Sequence, residues 1–316
     1  MTPKVRGTVC GVCAAVSYGL NPLGALPLYA DGVNVNSVLF YRYGLAAVIL
    51  AAVMLSRRMS FSVTAMEMRV LVPLGVLFSL SSLTLFDSFT FMDAGVASTL
   101  LFVYPVMVAV MMAVFFKEKL TPVTVFSIVL ALTGISLLYG GGTDGGVLST
   151  IGVLLVMVSS LTYAIYIIVV NKSSLRMSSV KLTFYVLLVS LMVIIANSVI
   201  GGDSGRLQML TTPRVWFFAS LLAVFPTVVS LLLMVVAVHE IGSTPTAVMG
   251  ALEPLTAVAI GVVLFGEAFT VRLAVGMLMI LSAVILIVLG KSLSVSYVTL
   301  VIGRFGHKLA KHWRWK

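Results

Sequence analysis

Three ionisable side chains lie well inside apolar runs: Arg42, Asp87 and Glu253. An ionisable group in hydrocarbon costs at least about 2.5–3.5 kcal/mol on insertion scales, and more when unpaired, so each is a candidate for binding or proton work. Counting 1.5 Å per residue from the helix ends sets Asp87 roughly 8 Å deep, Arg42 roughly 12 Å and Glu253 roughly 20 Å. Arg42 is then either a partner for a ligand carboxylate or half of a structural ion pair with Asp87 or Glu253. Glu253 precedes Pro254, whose missing amide frees the Gly250 carbonyl one turn earlier. A carboxylate beside a free carbonyl suits a proton or a ligand bearing a cation. Burial penalises the ionised form, so Glu253 can load and release a proton.

Other interruptions point into the same region. Pro22, Pro105 and Pro226 free the carbonyls of Tyr18, Leu101 and Leu222, while Ser17, Asn21, Thr99, Ser159, Ser160, Tyr163 and Thr227 carry polar groups that lipid rejects. Tyr18, Phe86, Phe89, Phe102, Tyr104, Tyr163 and Tyr166 add rings for stacking, with core filling as the competing role. The expected binding residues are Tyr18, Asn21, Arg42, Asp87, Thr99, Tyr104, Ser160, Tyr163 and Glu253, with Glu253 and Asp87 as proton carriers. Serine and threonine also join membrane helices, which is the alternative role for each of them. No catalytic or metal constellation is expected. His239, His307 and His312 lie at or beyond helix ends, and no second acid stands at helical spacing from Asp87 or Glu253. No cofactor is expected either, and no Gly-rich loop ends in Gly-Lys-Ser/Thr. Glu118 and Glu267 sit at helix ends, where a carboxylate accepts from free amides and complements the dipole. Cys10 and Cys13 share a helix face, with the Gly7/Gly11 pair on the same segment, which reads as packing, within the chain or with a second copy, rather than a disulfide framework.

The elements that must position these residues are membrane helices. The 316 residues are 60% hydrophobic and only 9% charged, and mean hydropathy is +1.18, which excludes an ordinary soluble domain and a disordered chain. Ten spans are expected, near 5–29, 34–56, 68–92, 94–117, 121–140, 147–171, 179–201, 213–239, 244–266 and 270–290. Thr121-Pro122, Thr212-Pro213 and Thr244-Pro245 mark helix starts, with Thr as cap and Pro in the first turn. Sixteen basic residues then fall on the side of the N-terminus, three (Arg206, Arg214 and Arg272) on the other, and Arg42 inside the membrane. The positive-inside rule sets both termini in the cytoplasm and competes with a reading of residues 1–29 as a cleaved signal peptide. The +10 net charge thus points to membrane sidedness rather than to nucleic acid.

The chain repeats itself. Pro105, Glu118 and Thr121 recur as Pro254, Glu267 and Thr270, each displaced by 149 positions, Gly95 pairs with Gly242, and Gly7 and Tyr18 recur as Gly152 and Tyr163 at 145. Residues 1–140 and 141–290 are therefore expected as two repeats of five spans, an odd number that inverts one relative to the other. The position of Glu253 is held by Tyr104 in the first half, so the repeat itself does not demand the charge. The stretches Pro105–Gly134, with Phe116-Lys117-Glu118-Lys119-Leu120-Thr121, and Pro254–Gly276, with Phe265-Gly266-Glu267-Ala268-Phe269-Thr270, resemble the EamA-type drug/metabolite transporters. The resemblance implies an all-α integral membrane protein of ten transmembrane helices and a secondary carrier, usually an exporter, without ATP.

These expectations combine into a carrier of small organic metabolites, amino acids or related zwitterionic or cationic compounds, working by alternating access around the first, third, fourth, sixth, eighth and ninth helices. One buried base argues against polyanions, and two buried acids allow a proton as coupling ion. A bacterial inner membrane is the expected location. An intramembrane enzyme and a non-transporting scaffold are the rivals. Residues 291–316 form a basic amphipathic tail, with Val298, Val301, Ile302, Phe305, Leu309 and Trp313 at steps of three and four, expected on the anionic inner leaflet or on a partner. A homodimer remains open.

Overall fold

The computed structural model describes residues 2–117, 122–139, 149–173, 177–241, 246 and 249–286. Glu118, Thr121, Gly242, Thr244-Pro245 and the tail with His307 and His312 lie outside the described residues. Every described element is helical: α1 Pro3–Gly19, α2 Asn21–Ala30, α3 Val35–Ser56, α4 Ala65–Ser88, α5 Ala94–Leu101, α6 Tyr104–Phe116, α7 Pro122–Tyr139, α8 Thr150–Lys172, α9 Ser179–Ile200, α10 Gly202–Gly205, α11 Pro213–Leu222, a π-helical segment Ala223–Val229, α12 Ser230–Ile241, α13 Leu252–Phe265 and α14 Val271–Leu286.

Among the described residues, seven stretches are long and apolar enough to cross a membrane, and α7, α13 and α14 are shorter apolar helices at the fifth, ninth and tenth expected spans. The surface suits lipid. Phe115, Val199, Val263 and Val271 are 74%, 77%, 77% and 81% exposed, while Ser37, Ser79, Ser159, Ser160 and Ser190 are fully buried. Such an arrangement reverses a soluble protein, because here the solvent for the outside is hydrocarbon.

Local chemistry sets the boundaries. Thr212 caps α11 through Val215 N at 3.4 Å, ahead of Pro213, as expected. The same Thr-Pro device at Thr2-Pro3 starts α1 earlier than hydropathy suggested. Thr64 and Glu67 form a capping box, so α4 runs Ala65–Ser88 rather than 68–92. The prolines break three expected spans: the first parts at Leu20, the fourth at Phe102–Val103, and the eighth widens into the π-helical turn around Pro226.

Packing joins early elements to late ones. α1 lies on α12 and α4 on α8, α3 pairs with α9, and α5 pairs with α13. The Gly7/Gly11 stripe is used inside the chain: a Cβ on Gly7 would stand 2.7 Å from Glu240 Cβ, and one on Gly11 would stand 2.5 Å from Met249 Sδ. α7 and α14 meet where Gly134 faces Gly276.

Candidate functional site

At Pro105 and Pro226 a hydroxyl answers for the carbonyl that proline leaves open. Ser160 Oγ donates to Leu101 O at 3.1 Å, and Thr227 Oγ1 donates to Leu222 O at 3.0 Å. At Pro254 the expectation of a free Gly250 carbonyl is corrected. The turn tightens, and the Glu253 amide itself donates to Gly250 O at 3.0 Å. Glu253 therefore stands in the first turn of α13 with its carboxylate as the remaining local acceptor.

Three of the predicted tyrosines gather around that carboxylate. Tyr18, Tyr104 and Tyr163 all lie within electrostatic range of Glu253. Tyr104 and Tyr163 meet edge-on with centroids 4.8 Å apart, and Tyr163 stacks on Tyr166 at 5.8 Å and 10°. Each of the four is half-buried. The ring chain continues through Phe78 to Tyr43, at 5.5 and 5.8 Å. Tyr166, expected as a stacking ring but not among the binding residues, stands one turn from Tyr163 on the same helix.

Arg42 sits beside this chamber, 3% exposed. Its Nε donates to Thr227 Oγ1 at 2.9 Å, and its guanidinium lies 5.2 Å from the Phe86 ring centroid and 5.7 Å from that of Tyr43. Among the described residues it forms no ion pair, so neither of its expected carboxylate partners is engaged. Thr227, held by the π-turn, is what fixes it.

The remaining predicted residues divide. Thr99 and Ser160 are fully buried, and their hydroxyls donate to the carbonyls of Gly95, within α5 at 2.9 Å, and of Leu101. Asn21 is 5% exposed, and its Oδ1 has no hydrogen-bond partner. Asp87 stands apart from Glu253. It lines a cavity of about 490 Å³ with Tyr29, Asn34, Asn36, Thr90 and Asn197, next to a second one of about 550 Å³ that shares Gly32 and Val33. Asn36 and Asn197 were not foreseen, since they do not correspond under the repeat displacement and sit at helix ends where polar residues are ordinary.

Glu267 is structural, but not for the adjacent helix. Its two carboxylate oxygens accept from Ala94 N at 2.8 Å and Gly95 N at 3.0 Å, across the fold at the start of α5, while Thr270 caps α14 through Leu273 N at 3.1 Å. Gly95 and Gly261 leave room for it, because a Cβ at either position would collide with the carboxylate. At the opposite end of the bundle Glu240 pairs with Arg6 at 3.6 Å, and His239 is exposed.

Apolar helices able to cross a membrane several times, broken at prolines around buried polar and aromatic side chains, define a multi-pass membrane protein. The chain belongs to the EamA-like transporter family, whose profile matches residues 5–140 and again residues 150–289. Its role is that of a transporter. An uncharacterized transporter of Archaeoglobus fulgidus is 26% identical over 194 residues, covering 61% of this chain and 67% of that protein. A solved crystal structure is similar with a TM-score of 0.66 at 15% identity, over 90% of this chain and 96% of that one, a likeness of fold alone.

Proposed function

We propose that this transporter is a secondary carrier of small organic amines, zwitterionic or cationic and amino acids included, that exports them by alternating access and exchanges a proton at Glu253. The observation that carries the reading is a carboxylate with no hydrogen bond or ion pair among the described residues, set against three half-buried tyrosines at broken helices. Tyrosine faces attract a cation through their quadrupoles, and the carboxylate supplies the counter-charge. A proton neutralises Glu253 when the cargo has left, so one site serves both in turn.

The halves are residues 1–140 and 141–290, related by inversion, with 291–316 as a cytoplasmic tail on the anionic leaflet. The two family matches and the exchange of partners between them, α1 on α12 and α4 on α8, support this arrangement. The chain has ten spans and sits in a bacterial inner membrane, and the distribution of basic residues supports both termini inside.

The test is uptake and counterflow in proteoliposomes with labelled amino acids, small amines and neutral metabolites, with and without an imposed pH gradient. Amine-bearing solutes should cross faster down the gradient in the wild type, and Glu253→Gln should lose that acceleration. A Gln variant with the wild-type pH dependence removes the proton role, and flux confined to neutral or anionic solutes removes the substrate class.

A further inference from the structure

The cavity at the 31–34 turn is separate from the Glu253 chamber and has its own chemistry. Its polar groups are largely committed to one another. Asn197 Nδ2 donates to Asn36 Oδ1 at 2.9 Å, Asn36 Nδ2 to Gly205 O at 2.9 Å, and the Tyr29 hydroxyl to Phe86 O at 3.1 Å. The Thr90 hydroxyl serves the backbone carbonyl of Asp87 at 2.7 Å. Next door, Arg214 is paired with Asp31 at 3.4 Å. The half-buried Asp87 carboxylate is left with no hydrogen bond or ion pair among the described residues. A pocket of roughly small-ligand size whose donors are spent and whose unmatched group is an anion calls for an occupant that brings donors and positive charge.

Arg42 neighbours tyrosines of both regions. It lies in electrostatic range of Tyr18, which also feels Glu253, and of Tyr29, which also feels Asp87. Thr227 and two aromatic rings hold it, so it is a fixed positive charge rather than a mobile one. A fixed guanidinium near both regions raises the energy of a cation passing it, while a carboxylate in each region offers a resting point.

We infer that this outer cavity is a second binding site for the ammonium group of the cargo, with Asp87 as its counter-ion and Arg42 as the barrier dividing it from the Glu253 chamber. The inference rests on the cationic or zwitterionic cargo proposed above, and it places the second site on the release side of an exporter.

The experiment is equilibrium binding of ¹⁴C-labelled 2-phenylethylamine to the full chain in nanodiscs, with 2-phenylethanol as the neutral control competitor. Two sites per chain are expected in the wild type. Asp87→Asn should bind at one, and Asp87→Glu, which keeps the charge, at two. Equal stoichiometry and affinity in the wild type and Asp87→Asn overturn the inference, as does equal competition by the alcohol. Glu253→Gln separates the two readings: a site lost there but kept in Asp87→Asn upholds the central chamber and sinks the outer one. The reverse pattern upholds the outer site and sinks the chamber, and a wild type that binds nothing sinks both.

Discussion

Glu267 gives the sharpest case in which one side chain ties distant parts of the chain together. Its two bonds to the first amides of α5 place a carboxylate on a helix N-terminus, where the dipole favours it. Replacing Glu267 by Ala should cost about 2 kcal/mol, the scale of a charge-assisted hydrogen bond to a partly buried donor, read as a lower thermal midpoint in detergent. Burial pushes the Glu267 carboxyl above the usual carboxylate range, the amides of Gly95 and Ala94 pull it partly back, and nearby Asp93 adds to the rise; burial lifts Asp93 as well. The folded protein thus holds these protons more tightly than the unfolded chain does. Their contribution is present at acid pH and is lost as the pH rises through the folded values. The wild type should therefore gain more thermal stability than Asp93→Asn as the pH falls from neutral to the ordinary aspartate value of 3.8, and equal gains would refute the assignment. The role of Glu267 as an amide acceptor was legible in the sequence because a carboxylate at a helix end has few other uses. Its target was not, because only the fold brings residue 267 to residue 94. Glu253 and its tyrosines were legible for a different reason: lipid tolerates such groups only around a cavity or another helix, and proline marks where the helices open.

A proline break in a membrane helix stands where some other group supplies the missing partner. α6 begins after such a break, and α8 supplies Ser160 to the Leu101 carbonyl that Pro105 leaves open. Ser160→Ala should therefore destabilise the protein by about 1–3 kcal/mol, the cost of an unsatisfied buried carbonyl. Pro105→Ala restores an amide that can reach Leu101, so the double variant should recover most of that loss, a coupling that thermal unfolding of the four proteins measures. Additive losses would mean that Ser160 acts elsewhere. The double variant should still transport poorly, since a straightened α5–α6 moves Tyr104 away from Tyr163. Hydropathy alone gave the spans as continuous, and proline positions marked the weak points. Sequence periodicity had no means of choosing between a kink, as at Leu20, and a π-turn, as at Pro226, because that choice depends on Thr227 being held between Arg42 and Leu222.

At the scale of the whole molecule, the largest helix interfaces run between the two family matches rather than within either one: α1 with α12, α4 with α8, α3 with α9, α5 with α13. The two ends are tied in the same way. Asn34 takes Gln208 and Arg206 at one end, both at 2.7 Å, and at the other Lys181 Nζ donates to Ser62 O at 2.6 Å while Tyr185 donates its hydroxyl to Phe61 O. The displacements of 145 and 149 positions made the duplication readable, but they are silent on which helix of one half packs on which of the other. That pairing decides the energetics, because a repeat whose polar and small-residue faces are matched mainly by its partner has little to fold against alone. A chain severed between Tyr139 and Ser149 should therefore yield two fragments that co-purify when expressed together and retain transport, while either fragment alone should aggregate or be degraded. Stable, monodisperse single fragments would mean that each half carries its own core. The interface would then be a docking surface rather than the interior of the protein, and rocking about it would no longer expose buried polar groups such as Ser159 and Ser190, which now bond across it to Ser81 O and Gly75 O at 2.7 and 2.9 Å.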